Sequence, residues 1–131
     1  MYNPDLQISQ PFVVQSTYQV GTSYTAGNVF SMANHNAIGI EVDYDKGNET
    51  SLEVKVEVSN DGGTTYAQQS TESTSGGTIT VALGERTFSA SGIYSLLITP
   101  IRAGLVKISS KSTYGTVATG SCSIRSYPLW V

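Results

Sequence analysis

Charge, cysteine and histidine are all scarce in this chain. Only 13% of its 131 residues are Asp, Glu, Lys or Arg, about half the usual share. Seven scattered basic residues and a net charge of −3 cannot form the phosphate-neutralising stripe that nucleic acid requires, so nucleic acid is not an expected partner. The lone cysteine, Cys122, excludes a disulfide framework and a multi-cysteine zinc site. No apolar run approaches the roughly 18 residues of a membrane-spanning helix. The opening MYNPDLQISQPF has neither the basic nor the apolar region of a signal peptide. The expectation is a soluble protein made in a cytoplasm, with no membrane partner.

Ser and Thr are abundant instead, about a quarter of the chain, together with 13 glycines. β-Branched, small and weakly charged residues favour sheets joined by turns over helices. The clearest pattern is strict alternation. In AIGIEVDY, Ile38, Ile40, Val42 and Tyr44 fall on one face, with Gly39, Glu41 and Asp43 on the other. In SLEVKVEVS, Leu52, Val54, Val56 and Val58 oppose Glu53, Lys55 and Glu57. A period of two marks strands with one buried and one wet face. The polar DKGNET between them has hairpin length, so these two strands are expected to pair antiparallel near the middle of a sheet.

Further strands are expected at PFVVQSTYQV, NVFSMA, TTYAQQST, TITVAL, GIYSLLIT, LVKISSKST and GSCSIRSY, separated by Gly, Ser and Pro spacers. About eight short strands without a helix predict an antiparallel β-sandwich, jelly-roll-like or immunoglobulin-like, or a small barrel. The sandwich is expected over residues 12–126. Residues 1–11, with two prolines, read as an extended arm. Residues 127–131, YPLWV, read as an apolar tail that packs on its own core or docks on a neighbouring chain.

Candidate chemistry is sparse. A hydrolytic site needs an arranged nucleophile, base and acid, and the single histidine, His35, sits in SMANHNAIG, a loop context without a partner motif. Cys122 alternates with Ser121 and Ser123 and reads as a small buried hydrophobe. Asp43, Asp45, Asn48 and Glu49 cluster round one turn and offer the oxygens of a weak calcium candidate. Their spacing departs from an EF-hand loop and Lys46 intervenes. A solvated turn is the preferred reading. No catalytic residue, metal or cofactor is expected.

The stretch SNDGGTTY follows the second alternating strand. Its Ser-x-Asp-x-Gly-x-Thr-aromatic pattern resembles the Asp-box of sialidases and related propellers, with Tyr66 where that family prefers Trp. A propeller needs several four-stranded blades, far more than one domain of this length supplies. The box therefore reads as a hairpin tip, with Ser59, Asp61, Gly63 and Thr65 bonding the turn and Tyr66 covering its base.

Over residues of about 38–125, the chain also resembles small virion proteins of tailed bacteriophages. The resemblance is carried by DYDKGNETSLEVKVEVSNDGGTTY, the later GIYSLLIT and VKISSKSTYGT, and the closing GSCSIRSY; the KGNETSL run is its most specific part. It implies a non-enzymatic decoration or cement protein on the capsid surface, binding the major capsid protein or other virion proteins. It also implies a homo-oligomer, with a trimer favoured by threefold capsid positions. Docking would then fall to the ends, at Tyr2, Pro4, Leu6, Ile8, Tyr127, Leu129 and Trp130. The alternatives are a tail or neck component, or a carbohydrate-binding module for host-surface adhesion. Against the latter, Tyr18, Tyr24, Tyr44, Tyr66, Tyr94 and Tyr114 are spread over all the expected strands.

Overall fold

A computed structural model describes residues 12–32, 35–75, 78–83, 85–101, 103–115 and 118–130. Its strands in chain order are β1 (Phe12–Tyr18), β2 (Thr25–Ala26), β3 (Phe30–Ser31), β4 (Ala37–Asp45), β5 (Ser51–Ser59) and β6 (Ala67–Gln68). The later half adds β7 (Ser70–Ser75), β8 (Thr78–Leu83), β9 (Glu85–Phe88), β10 (Gly92–Ile98), β11 (Leu105–Thr113) and β12 (Ser121–Leu129). The expected all-β sandwich is present, with ten strands in its two sheets among the described residues.

The first sheet runs β1-β12-β4-β10. In the second, β11 and β5 are central; β2 and β3 flank β11, while β6 and β9 share the far edge of β5. Among the described residues, β7 and β8 pair only with each other, as a two-stranded hairpin. Every pairing is antiparallel. The early half of the chain pairs with the late half in reverse order: β1 with β12, β2 and β3 with β11, β4 with β10, β5 with β9. The chain behaves as one long hairpin wrapped round on itself.

This wrapping corrects one expectation. β4 and β5 do not pair with each other; they lie in opposite sheets, facing across the core. Alternation says only that each strand has an apolar face, and two such faces are buried as well by opposing sheets as by neighbouring strands. Here Ile38, Ile40, Val42 and Tyr44 from β4 and Leu52, Val54 and Val56 from β5 are all buried in a single core. β12 contributes Cys122 and Ile124, β11 contributes Val106 and Ile108, and Phe88 of β9 stacks on Tyr94 of β10 at 4.3 Å. Burying each large aliphatic side chain here is worth roughly 1.5–3 kcal/mol.

One end of this interior is polar. Ser110 and Ser112 point inward from β11, where the Tyr18 hydroxyl meets Ser110 Oγ and Ser112 Oγ donates to the Val20 carbonyl at 3.2 Å. Ser126 of β12 is buried, and its hydroxyl has no hydrogen-bond partner among the described residues.

The C-terminal boundary also differs from the expected one. β12 continues past residue 126, so Tyr127, Pro128 and Leu129 are strand residues opposite Gly39, Ile38 and Ala37. Pro128 has no N–H to contribute to a ladder. It sits where β12 has only β4 beside it among the described residues, since β1 reaches only to Ser126.

Candidate functional site

The SNDGGTTY tip is a closed hydrogen-bonded turn between β5 and β6. The Ser59 hydroxyl donates to Asp61 Oδ1 at 2.8 Å and accepts the Gly63 N–H at 3.0 Å. Asp61 Oδ1 also accepts the Thr65 N–H at 2.9 Å. Gly62 and Gly63 take φ of +73° and +93°, a region that residues with a Cβ avoid. The Tyr66 hydroxyl lies 3.3 Å from where a Cβ of Gly63 would stand. Lys107 lies 4.1 Å from the Tyr66 ring centroid on the other strand. Ser59, Asp61, Gly63 and Thr65 are thus joined in one hydrogen-bonded turn.

The Thr65 N–H and the Ser59 hydroxyl hold the Asp61 carboxyl below its usual range. A lowered folded pKa means the contribution is fully present above the unfolded value, near 3.8, and is lost as pH falls through the folded one. In an acid titration followed by NMR, the Thr65 amide should shift as Asp61 protonates while Ile108 in the core stays still. Asp61→Asn should abolish that shift; a Thr65 amide indifferent to acid would contradict the assignment.

The four oxygens of the calcium candidate go to different places. Asp43 and Asp45 are exposed. Asn48 is locked to the β11–β12 connection: its Oδ1 accepts the Thr119 N–H at 2.9 Å and its own N–H donates to Thr119 Oγ1 at 2.9 Å. Glu49 is buried, accepting from the Tyr44 hydroxyl at 3.0 Å and from the Gly120 N–H at 2.9 Å. Burial, and then the hydrogen bond to Glu49, push the Tyr44 hydroxyl pKa well up. Among the described residues no three His, Cys, Asp or Glu side chains converge as a metal site. The turn is a pin joining the β4–β5 corner to the β11–β12 connection.

Tyr127, Leu129 and Trp130 meet at one end of the first sheet. The Asn36 N–H donates to the Leu129 carbonyl at 3.1 Å, and Trp130, 68% exposed, lies 6.3 Å from the His35 ring. Gly39 stands between Leu97 and Tyr127 in the ladder, and Leu129 closes over it, its Cδ1 3.4 Å from where a Cβ would be. Tyr2, Pro4, Leu6 and Ile8 lie outside the described residues.

His35 is a loop residue whose Nδ1 lies 2.8 Å from the Met32 carbonyl. Cys122 is buried, and loss of solvent pushes its thiol pKa up to about 11. At pH 8 a thiol of that pKa is thiolate about once in a thousand molecules, and only the thiolate attacks. Alkylation of the native protein by iodoacetamide should therefore run at least about 100-fold slower than in urea. Equal rates would place Cys122 at the surface.

Two features escaped the sequence reading. On the outer face of the second sheet, Tyr24 lies 4.3 and 4.7 Å from the ammonium groups of Lys55 and Lys111. Those lysines pair with Glu57 and Glu53, each at 3.4 Å. Glu53, Lys55 and Glu57 were legible as the wet face of β5, but not that Tyr24 would reach it. The second feature is β10, where Ile93 and Leu97 are 70% and 56% exposed. Its sequence, apolar at nearly every position, was the available sign that both faces are apolar.

No protein-family model matches the chain, and no curated protein matches it. Among the described residues, no helix is long and apolar enough to cross a membrane.

Proposed function

We propose that this protein is a non-enzymatic structural component of a tailed-phage particle, a decoration protein that binds the major capsid protein on the outer shell and stabilises it. The observation that carries the reading is Trp130, an exposed aromatic presented next to a strand segment tied down by β4 and by Asn36. Aromatic anchors held in place before binding dominate interface energetics because little ordering entropy remains to be lost. Leu129 and Tyr127 extend that anchor along the sheet.

Two further points support it. The wrapped-hairpin strand order is read here as a jelly roll, an architecture shared by viral capsid and lectin domains; fold alone does not give function. The KGNETSL run that carries the phage resemblance is also the pin of this fold, with Gly47, Asn48 and Glu49 each placed by a specific contact. The lectin-like alternative would use Tyr24 and Tyr66, but lysine ammonium groups already stand over both rings.

The test is localisation. Antibody raised against the chain should label the heads of purified particles by immunogold, and Trp130→Ala should lose attachment while keeping the parent urea midpoint. Labelling confined to tails, or glycan binding without any particle association, would reject the reading.

A further inference from the structure

We infer that the free edge of β10 is a self-pairing surface, joining two copies of this chain about a twofold axis through Ser95. The other long edges are crossed or flanked by further segments. Asn28 crosses β1, its N–H bonding the Val14 carbonyl at 2.7 Å and its side chain the Val13 carbonyl at 3.2 Å. β9 and β6 cover β5. Among the described residues, β10 has β4 on one side and no strand on the other.

An open edge is ordinarily protected by lysine, proline, a bulge or shortness. β10 is seven residues, GIYSLLI, with no charge and no proline, and it pairs with β4 in unbroken register. Such an edge offers a row of backbone donors and acceptors to any extended strand. The residue pattern selects a second copy as the occupant, because from Ile93 to Leu97 it is apolar on both sides of Ser95, with an exposed aliphatic residue two positions away in each direction. Antiparallel pairing with Ser95 opposite Ser95 sets Ile93 against Leu97, Tyr94 against Leu96, and Gly92 against Ile98. The two most exposed aliphatic side chains of the strand thereby cover each other twice, once on each side of the axis. This register holds whichever alternate set of backbone groups points outward, so it is self-complementary as a twofold contact must be.

Charge does not oppose it. The carboxylates behind the seam lie one strand back on β4: Glu41, opposite Ser95, pairs with Arg125 at 3.6 Å, and Asp43, opposite Ile93, is exposed to water. The seam is short, about 24 Å for seven residues. A seam of that length sits at the low end of specific interfaces. The dimer is therefore expected to be weak and concentration-dependent. This inference stands independently of the proposed function.

Light scattering and sedimentation equilibrium of the full chain should give a mass that rises from one chain toward two with concentration. Ile93→Lys with Leu97→Lys should hold the mass at one chain and leave the urea midpoint within the parent's range. Ser95→Cys should form a disulfide-linked dimer on mild oxidation, at least about tenfold faster than Asn60→Cys at the remote hairpin tip. If the double-lysine variant fails to fold, the cross-linking comparison decides alone. A single-chain mass at every concentration, a mass of three chains, or a dimer untouched by the lysines would overturn the inference. So would equal cross-linking at Ser95 and Asn60. Exchange protection, in a monomer, of the β10 amides that point away from β4 would assign the edge to another segment of the same chain, and would overturn it too.

Discussion

Glu49→Ala should destabilise the protein by roughly 3 kcal/mol, read as a lower urea midpoint at unchanged slope. The carboxylate is buried and its two oxygens serve different donors, the Tyr44 hydroxyl and the Gly120 N–H. Removing it leaves both without a partner in a place water does not reach, and each such loss costs about 1–3 kcal/mol. Glu49→Gln has one carbonyl oxygen for two donors and should lose about half as much. The order of the two variants separates lost hydrogen bonds from a gain through unburying charge. An alanine variant as stable as the parent would mean that desolvation of the carboxylate cancels its bonds, as happens at some buried ionic sites.

Gly120→Ala should be comparably damaging, about 3 kcal/mol, for a steric reason. A Cβ at residue 120 would stand 2.5 Å from the Asp45 and Lys46 carbonyl oxygens and from Glu49 Oε2. Two of these three are backbone and cannot swing aside, so the β11–β12 connection must move off the β4–β5 corner. That movement would also pull the Gly120 N–H from Glu49. The double variant should therefore lose clearly less than the sum of the single losses, a coupling that urea denaturation of the four proteins would measure. Full additivity would show that the two residues act separately.

Both predictions fall in a segment whose composition read as a solvated turn. The letters DYDKGNE contain three acidic residues, and nothing in their spacing says that Glu49 turns inward while Asp43 and Asp45 stay exposed. That choice depends on where Gly120, seventy-one residues later, is brought. The SNDGGTTY tip lies at the opposite extreme. Its bonds span only two to four residues, so local chemistry prescribes them and the sequence discloses them in full. The apolar C-terminus is intermediate: its composition announced a contact, but its continuation as strand through Leu129 depends on pairing with residues 37–39.

The sequence by itself determined the strand-rich class, the inward positions of β4 and β5, and the closed turn after β5. Those follow from side-chain alternation and from bonds between near neighbours, both of which are properties of a short window. Only the tertiary structure decided that β4 and β5 sit in opposite sheets, that Glu49 pins the corner, and that β10 has β4 alone beside it among the described residues. Pairing partners far apart in the chain are chosen by how two buried faces close on each other, and a periodic pattern is equally compatible with several such closures.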